Sequence, residues 1–225
     1  MNTAAISYRT ASQLNTAMAG VYKHMGLAVA TSMLVSYLVS TSQPLMALLF
    51  GTALKWVVIF APLVAVFALS FALHKLSKPV AFGLLHGFAA LMGLSMAAIF
   101  AVYTSMSIFT AFMGAAVLFG TMSFYGYFTK KNLDSWGKWL FVGLIAIVIA
   151  SIINVFVGNS VAQMTISALA IIIFTGLTAY DTQRIREELS VSDSGNAEIS
   201  GALSLYLNFI NIFTSLLQLF GNKEE

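Results

Sequence analysis

The chain has 225 residues, of which 11 are Lys or Arg and 8 are Asp or Glu, so only 8% carry charge, against about 25% in a soluble domain. With 59% apolar residues and a mean hydropathy of +0.89, the polar surface is too small to solvate a compact body of this size. That excludes a soluble enzyme, a disordered regulator and a secreted scaffold, and the absence of cysteine removes disulfides, thiolate metal sites and a cysteine nucleophile.

What remains is a multi-spanning membrane protein, since a spanning helix takes roughly 20 apolar residues. After a polar tail over 1–23, apolar runs predict segments at 24–42, 53–73, 79–102, 106–128, 137–157, 162–181 and 201–220. None of them alternates as barrel strands do, so the class is all-α. The expected organisation is a cytoplasmic tail over 1–23, a seven-helix membrane domain over 24–220 and a short tail over 221–225. The leader is too long and polar for a cleaved signal peptide, so the first segment is expected to stay.

Basic residues sort by loop. Arg9, Lys23, Lys75, Lys78, Lys130, Lys131, Lys138, Arg184 and Arg186 fall on one side of this scheme, and only Lys55 and Lys223 on the other. The small positive net charge therefore reports topology, with the N-terminus cytoplasmic, and gives no reason to expect nucleic acid.

Along the chain, His86 interrupts the third segment and is read as a neutral histidine bonded to a neighbouring carbonyl, with proton sensing as the alternative. Gly83 and Gly87, then Ala89, Gly93, Ala97 and Ala101, form a row of small residues suited to close helix packing. Ser95, in Gly93-Leu94-Ser95-Met96, superficially suggests an intramembrane protease, but His86 on the same segment cannot pair with it. Tyr125, Tyr127, Trp136 and Trp139 flank the fourth loop as an interfacial belt, and Asp134 or Ser135 is placed to cap the fifth segment. The polar stretch Thr182–Ser200 reads as a solvated linker.

The last segment carries Gly201, Ser204, Asn208, Asn211, Ser215, Gln218 and Asn222 at alternating steps of three and four. This is one polar stripe on a helix about as long as the bilayer core is thick. Either it is hydrogen-bonded to neighbouring helices or it lines a wet pathway. Asp181 is the one acid inside an expected span, which makes it a functional candidate, although Arg184 one turn on offers a simple partner. Asn208 lies about 10 Å from the start of its segment, where it can approach Asp181.

The runs AALMGLSMAAIFAVYT (89–104), YGYFTKKNLDSWGKW (125–139), GLTAYDTQRI (176–185) and ALSLYLNFINIFTSLLQLFGN (202–222) resemble the Bax inhibitor family of membrane proteins in its bacterial branch. The resemblance runs from the first segment to the C-terminus. It implies six helices around a central seventh and a pH-sensitive calcium leak. In eukaryotes it also implies links to suppression of cell death, and in bacteria to membrane-protease regulation. In that family an aspartate of helix six pairs with one of helix seven to sense protons and gate the leak. The first matches Asp181, but the second position is Asn208 here. The family's basic latch falls at His74 or Lys75. Asparagine does not titrate, so the geometry is expected to persist while the two-carboxylate switch weakens.

The expectation is thus a passive cation leak, plausibly calcium, in the plasma (inner) membrane. It is not an enzyme and has no resident cofactor, and Asp181 makes a weak, transient contact with the ion. The alternative is a non-transporting interaction protein that engages a membrane partner, such as a quality-control protease, through the tail or the sixth loop. A coupled secondary transporter ranks third, because no inverted repeat is visible.

Overall fold

The computed structural model describes residues 9–73, 76–191 and 195–224. Their elements are helices α1 (Ala11–Ser40), α2 (Gln43–Phe50), α3 (Leu54–Ala72), α4 (Lys78–Val102), α5 (Ser105–Phe128), α6 (Asp134–Val157), α7 (Ser160–Val191) and α8 (Gly195–Phe220). An isolated antiparallel bridge joins Tyr103 to Lys223. The all-α membrane class is therefore correct.

Length and composition do not confirm all seven expected spans. Among the described residues, α4 to α8 are long and apolar enough to cross a bilayer. Helices α1 and α2 pass that test only as a pair, bent by 101°, and the apolar part of α3, Leu54–Ser70, is shorter. Length and composition thus support five spans, or six if the bent pair is one, against the seven expected.

Three boundaries also differ. Helix α1 begins thirteen residues before the expected start at 24, because Thr10 and Gln13 form a capping box. The Thr10 N–H donates to Gln13 Oε1 at 2.9 Å, and the Gln13 N–H returns to Thr10 Oγ1 at 3.3 Å. The break after α1 is made by hydroxyls: Ser40 and Thr41 donate to the carbonyls of Tyr37 and Leu38, and Pro44 then opens α2. The expected linker over 182–200 is mostly helical, since α7 runs on to Val191 and α8 starts at Gly195. Ile185 and Leu189, one turn apart on α7, are fully buried.

The chain forms two compact units. The first holds Met1–Ala97 and Arg184–Ser204. Within it α1 and α4 touch backbone to backbone. A Cβ on Gly93 would lie 2.6 Å from the Ser32 carbonyl, and Ser32 Oγ donates to the Ala89 carbonyl at 2.7 Å. Ala89, Gly93 and Ala97 are buried there, as the small-residue row predicts. Gly83 and Gly87 are not part of that face, for an added Cβ meets nothing within 4 Å at either, and Ala101 is exposed.

The same unit explains Ser95. Pro62 lies inside α3 and has no N–H for the carbonyl four residues back, which is that of Val58. Ser95 Oγ from α4 donates to that carbonyl. An unpaired carbonyl in hydrocarbon costs several kcal/mol, so the neighbouring hydroxyl is what makes the proline tolerable.

The second unit holds Ala98–Gln183 and Leu205–Glu225. Its α6 and α7 run antiparallel through a glycine ladder. Gly137 faces the Tyr180 ring, Gly143 faces Ile173, and Leu140 sits over Gly176. Gly126 of α5 lies directly against the Ala179 carbonyl of α7. Phe112 and Phe119 of α5 pack edge-on against Phe209 of α8, at 5.3 and 5.8 Å between centroids. The start of α6 is not capped by Asp134 or Ser135. Leu133 is its N-cap residue and makes no side-chain cap. Asn132 Oδ1 takes the Asp134 N–H at 2.7 Å, and Gln183 Oε1 takes that of Leu133 at 2.9 Å. Asp134 sits inside the helix and so cannot serve as its cap.

Candidate functional site

The site is built where α7 meets α8 in the second unit. Helix α8 is the most enclosed candidate span: 56% of its most apolar stretch is buried, against 33% or less in the other four. Burying a helix with a polar stripe requires partners for that stripe. The structure provides them on other helices at Asn208 and Gln218.

Asn208 is only 4% exposed, and its Nδ2 donates to Asp181 Oδ2 at 2.8 Å. The expected approach of these two residues is therefore present. Its position follows from α7. Thr178 and Thr182 turn their hydroxyls onto the carbonyls of Phe174 and Thr178, and Ser123 of α5 lies 3.1 Å from Thr182 Oγ1. On the next residue Gln183 pins the 131–133 turn through Leu133 N–H and the Lys131 carbonyl. Asp181 is half-buried in this frame.

Farther along α8 the stripe divides its tasks. Asn211 Nδ2 donates to the Leu207 carbonyl of its own helix at 2.8 Å. Ser215 is buried. Gln218 Oε1 accepts from Gln163 Nε2 at 2.6 Å and from Ser167 Oγ at 2.9 Å. Gln163 Oε1 in turn accepts from Asn154 Nδ2 at 3.0 Å. The stripe is thus hydrogen-bonded to neighbouring helices at Asn208 and Gln218, one of the two readings the sequence left open. The partners Asn154, Gln163 and Ser167 were not singled out from sequence. A signal was present, since Asn154 is one of two polar residues interrupting the run from Leu140 to Val157.

In the first unit, Arg184 Nη2 donates to Ser204 Oγ at 3.3 Å, so the pairing candidate Arg184 does reach the stripe. His74 and Lys75 lie outside the described residues. His86 Nδ1 meets Thr31 Oγ1 at 2.9 Å, where a carbonyl was expected, and its ring packs against Phe82 at 4.3 Å. Among the described residues no three His, Asp or Glu side chains gather into a group that could hold a metal ion. What Asp181 and Asn208 offer a cation is carboxylate and amide oxygen only.

A model of the family described as inhibitor of apoptosis-promoting Bax1 matches residues 14–225. The chain is 40% identical over 217 residues to the inner membrane protein YbhL of Escherichia coli, covering 93% of each chain. It is 37% identical over 221 residues to a protein of Deinococcus radiodurans, covering 96% of this chain and 94% of that one. A membrane protein of Streptococcus pyogenes is 33% identical over 225 residues, with 94% of each chain covered.

Proposed function

The chain belongs to the Bax inhibitor family of membrane proteins, and from that premise we propose that it is a passive cation leak, with calcium as the ion. The observation that supports this reading is the Asn208–Asp181 bond at 2.8 Å, a carboxylate held beside the most enclosed helix of a membrane protein. An acid at membrane depth, even half-buried as Asp181 is, is costly and marks ion pathways. Calcium prefers six to eight oxygens, so one carboxylate with amide and backbone oxygens binds weakly and lets the ion leave. No resident cofactor and no bond-making chemistry enter this reading. The surrounding membrane is the inner one, by likeness to the Escherichia coli relative, and the N-terminus faces the cytoplasm, by the excess of Lys and Arg on that side.

The test is calcium flux into proteoliposomes containing the purified chain. The Asp181→Ala variant is expected to lose most of the flux, and unchanged flux would remove Asp181 from the pathway. The partner-docking alternative draws no support from the 184–198 segment. Ser190 accepts from the Arg9 N–H at 3.0 Å, Asn196 donates to the Leu76 carbonyl, and Glu198 pairs with Lys78 at 2.9 Å, so groups on that segment are engaged within the chain.

A further inference from the structure

A groove of about 600 Å³ opens on the outer face of α5, α6 and α7, lined by Leu118, Trp136, Trp139, Ile172, Thr175 and Gly176 among others. Its size falls within the range of small-molecule sites, about 300–1,000 Å³, yet its walls are almost wholly apolar. Trp136 and Trp139 stand at its mouth, 51% and 79% exposed, on the first turns of α6. Around them the chain places Lys130, Lys131 and Lys138, all exposed, against the single acid Asp134. That acid already accepts from Asn132 Nδ2 at 3.1 Å.

Among the described residues lining the groove, one shielded polar atom makes no hydrogen bond: the Thr175 hydroxyl. Helical threonines in a membrane ordinarily donate to the carbonyl one turn back, as Thr178 and Thr182 do here. The glycine ladder fixes the level of Thr175, because Leu140 sits over Gly176. Thr175 is therefore level with the residue after Trp139, at the depth an interfacial tryptophan marks. Phospholipid ester oxygens lie at that depth, below the headgroup and above the acyl chains.

We propose that this groove is a binding site for an anionic glycerophospholipid. The phosphate-bearing headgroup sits among Lys130, Lys131 and Lys138, the ester oxygens meet the Thr175 hydroxyl and the two indole N–H groups, and one acyl chain fills the groove down to Leu118 and Ile172. Charge complementarity selects the occupant: a zwitterionic lipid fills the apolar part equally well but gains little from three lysines, whereas an anionic headgroup gains from each.

The test uses the full chain carrying Trp56→Phe. Of the three tryptophans in the sequence, only Trp136 and Trp139 then report. In phosphatidylcholine vesicles, brominated phosphatidylglycerol is expected to quench their fluorescence with an apparent association constant at least about fivefold above that of brominated phosphatidylcholine. Equal quenching by the two lipids would overturn the proposal. Replacing the three exposed lysines (Lys130→Gln, Lys131→Gln, Lys138→Gln) is expected to abolish the preference, and its survival would overturn the headgroup assignment. Filling the groove with Leu118→Phe and Ile172→Phe, lysines intact, should also reduce the preference. If it is undiminished, the lysines act as a diffuse surface charge and the groove is not the site.

Discussion

Asn208 holds the Asp181 carboxylate through a single amide N–H at 2.8 Å, from α8 to α7. An amide does not titrate, so this pair has no proton to share. Placing a second carboxylate at the same spacing changes that. Two adjacent carboxyls at this spacing retain one proton between them. The shared-proton form prevails at low pH and is lost as pH rises. Calcium flux through Asn208→Asp should therefore show a step with pH that the parent chain lacks. Superimposable pH profiles in proteoliposomes would refute the idea that Asn208 disables the switch.

Ser95 and Pro62 form a pair that can be tested by a double-mutant cycle. With Pro62 present, Ser95→Ala leaves the Val58 carbonyl without a donor, and about 1–2 kcal/mol of folded-state stability should be lost. With Pro62→Ala in place, residue 62 regains its N–H and closes the normal helical bond to Val58. Ser95→Ala should then cost much less. Thermal unfolding of the purified protein in detergent reads both backgrounds. Equal losses in the two would show that Ser95 does not compensate for the proline.

Hydropathy made the apolar segments legible because burial in lipid and helical structure coincide there. It failed where they separate. Helix α7 continues through Arg184, Glu187 and Glu188 to Val191, since charged residues are good helix formers and end only the apolar run. The spacing of Ile185 and Leu189, both buried, was the available sign of a helix there. The early start of α1 was likewise written in Thr10 and Gln13. The Asp181–Asn208 approach was readable because their two segments run in opposite directions and each residue lies near the end joined by the same connection. The Ser95 bond to Val58 was not, because it joins residues 37 apart in sequence and depends on how α3 and α4 are rotated.

Glycines of the chain divide by what a methyl group would meet. At Gly126 it would strike the Ala179 backbone, which moves only with its helix, and at Gly137 the Tyr180 ring, which would have to leave its place against α6. Gly126→Ala and Gly137→Ala should each destabilise by about 1–3 kcal/mol. At Gly83 and Gly87 a methyl meets nothing within 4 Å, and alanine there should be neutral or stabilise by up to about 1 kcal/mol through helix propensity. The four single variants, ranked by melting temperature in one detergent, check this. A destabilised Gly83→Ala would mean that the face is covered by a partner.

Gln218 accepts two donors at one oxygen, Gln163 Nε2 at 2.6 Å and Ser167 Oγ at 2.9 Å, and this shared acceptor makes the energetics non-additive. Ser167 is 1% exposed, so Gln218→Leu takes the acceptor from its hydroxyl and from the Gln163 amide, leaving only the 3.5 Å contact of Gln163 Nε2 with Ser167 Oγ. Interhelical hydrogen bonds in membranes average about 0.6 kcal/mol and reach about 1.7 kcal/mol. Gln218→Leu should lie toward the upper end because it removes the shared acceptor of two donors. Ser167→Ala removes one of those groups outright. Combined with Gln218→Leu it should cost less than the two single losses together, by at least about 0.5 kcal/mol. Unfolding measurements on the three variants decide the matter. Strict additivity would mean that the Ser167 hydroxyl finds another acceptor once Gln218 is gone, and that Gln218 is not what holds α7 to the end of the stripe.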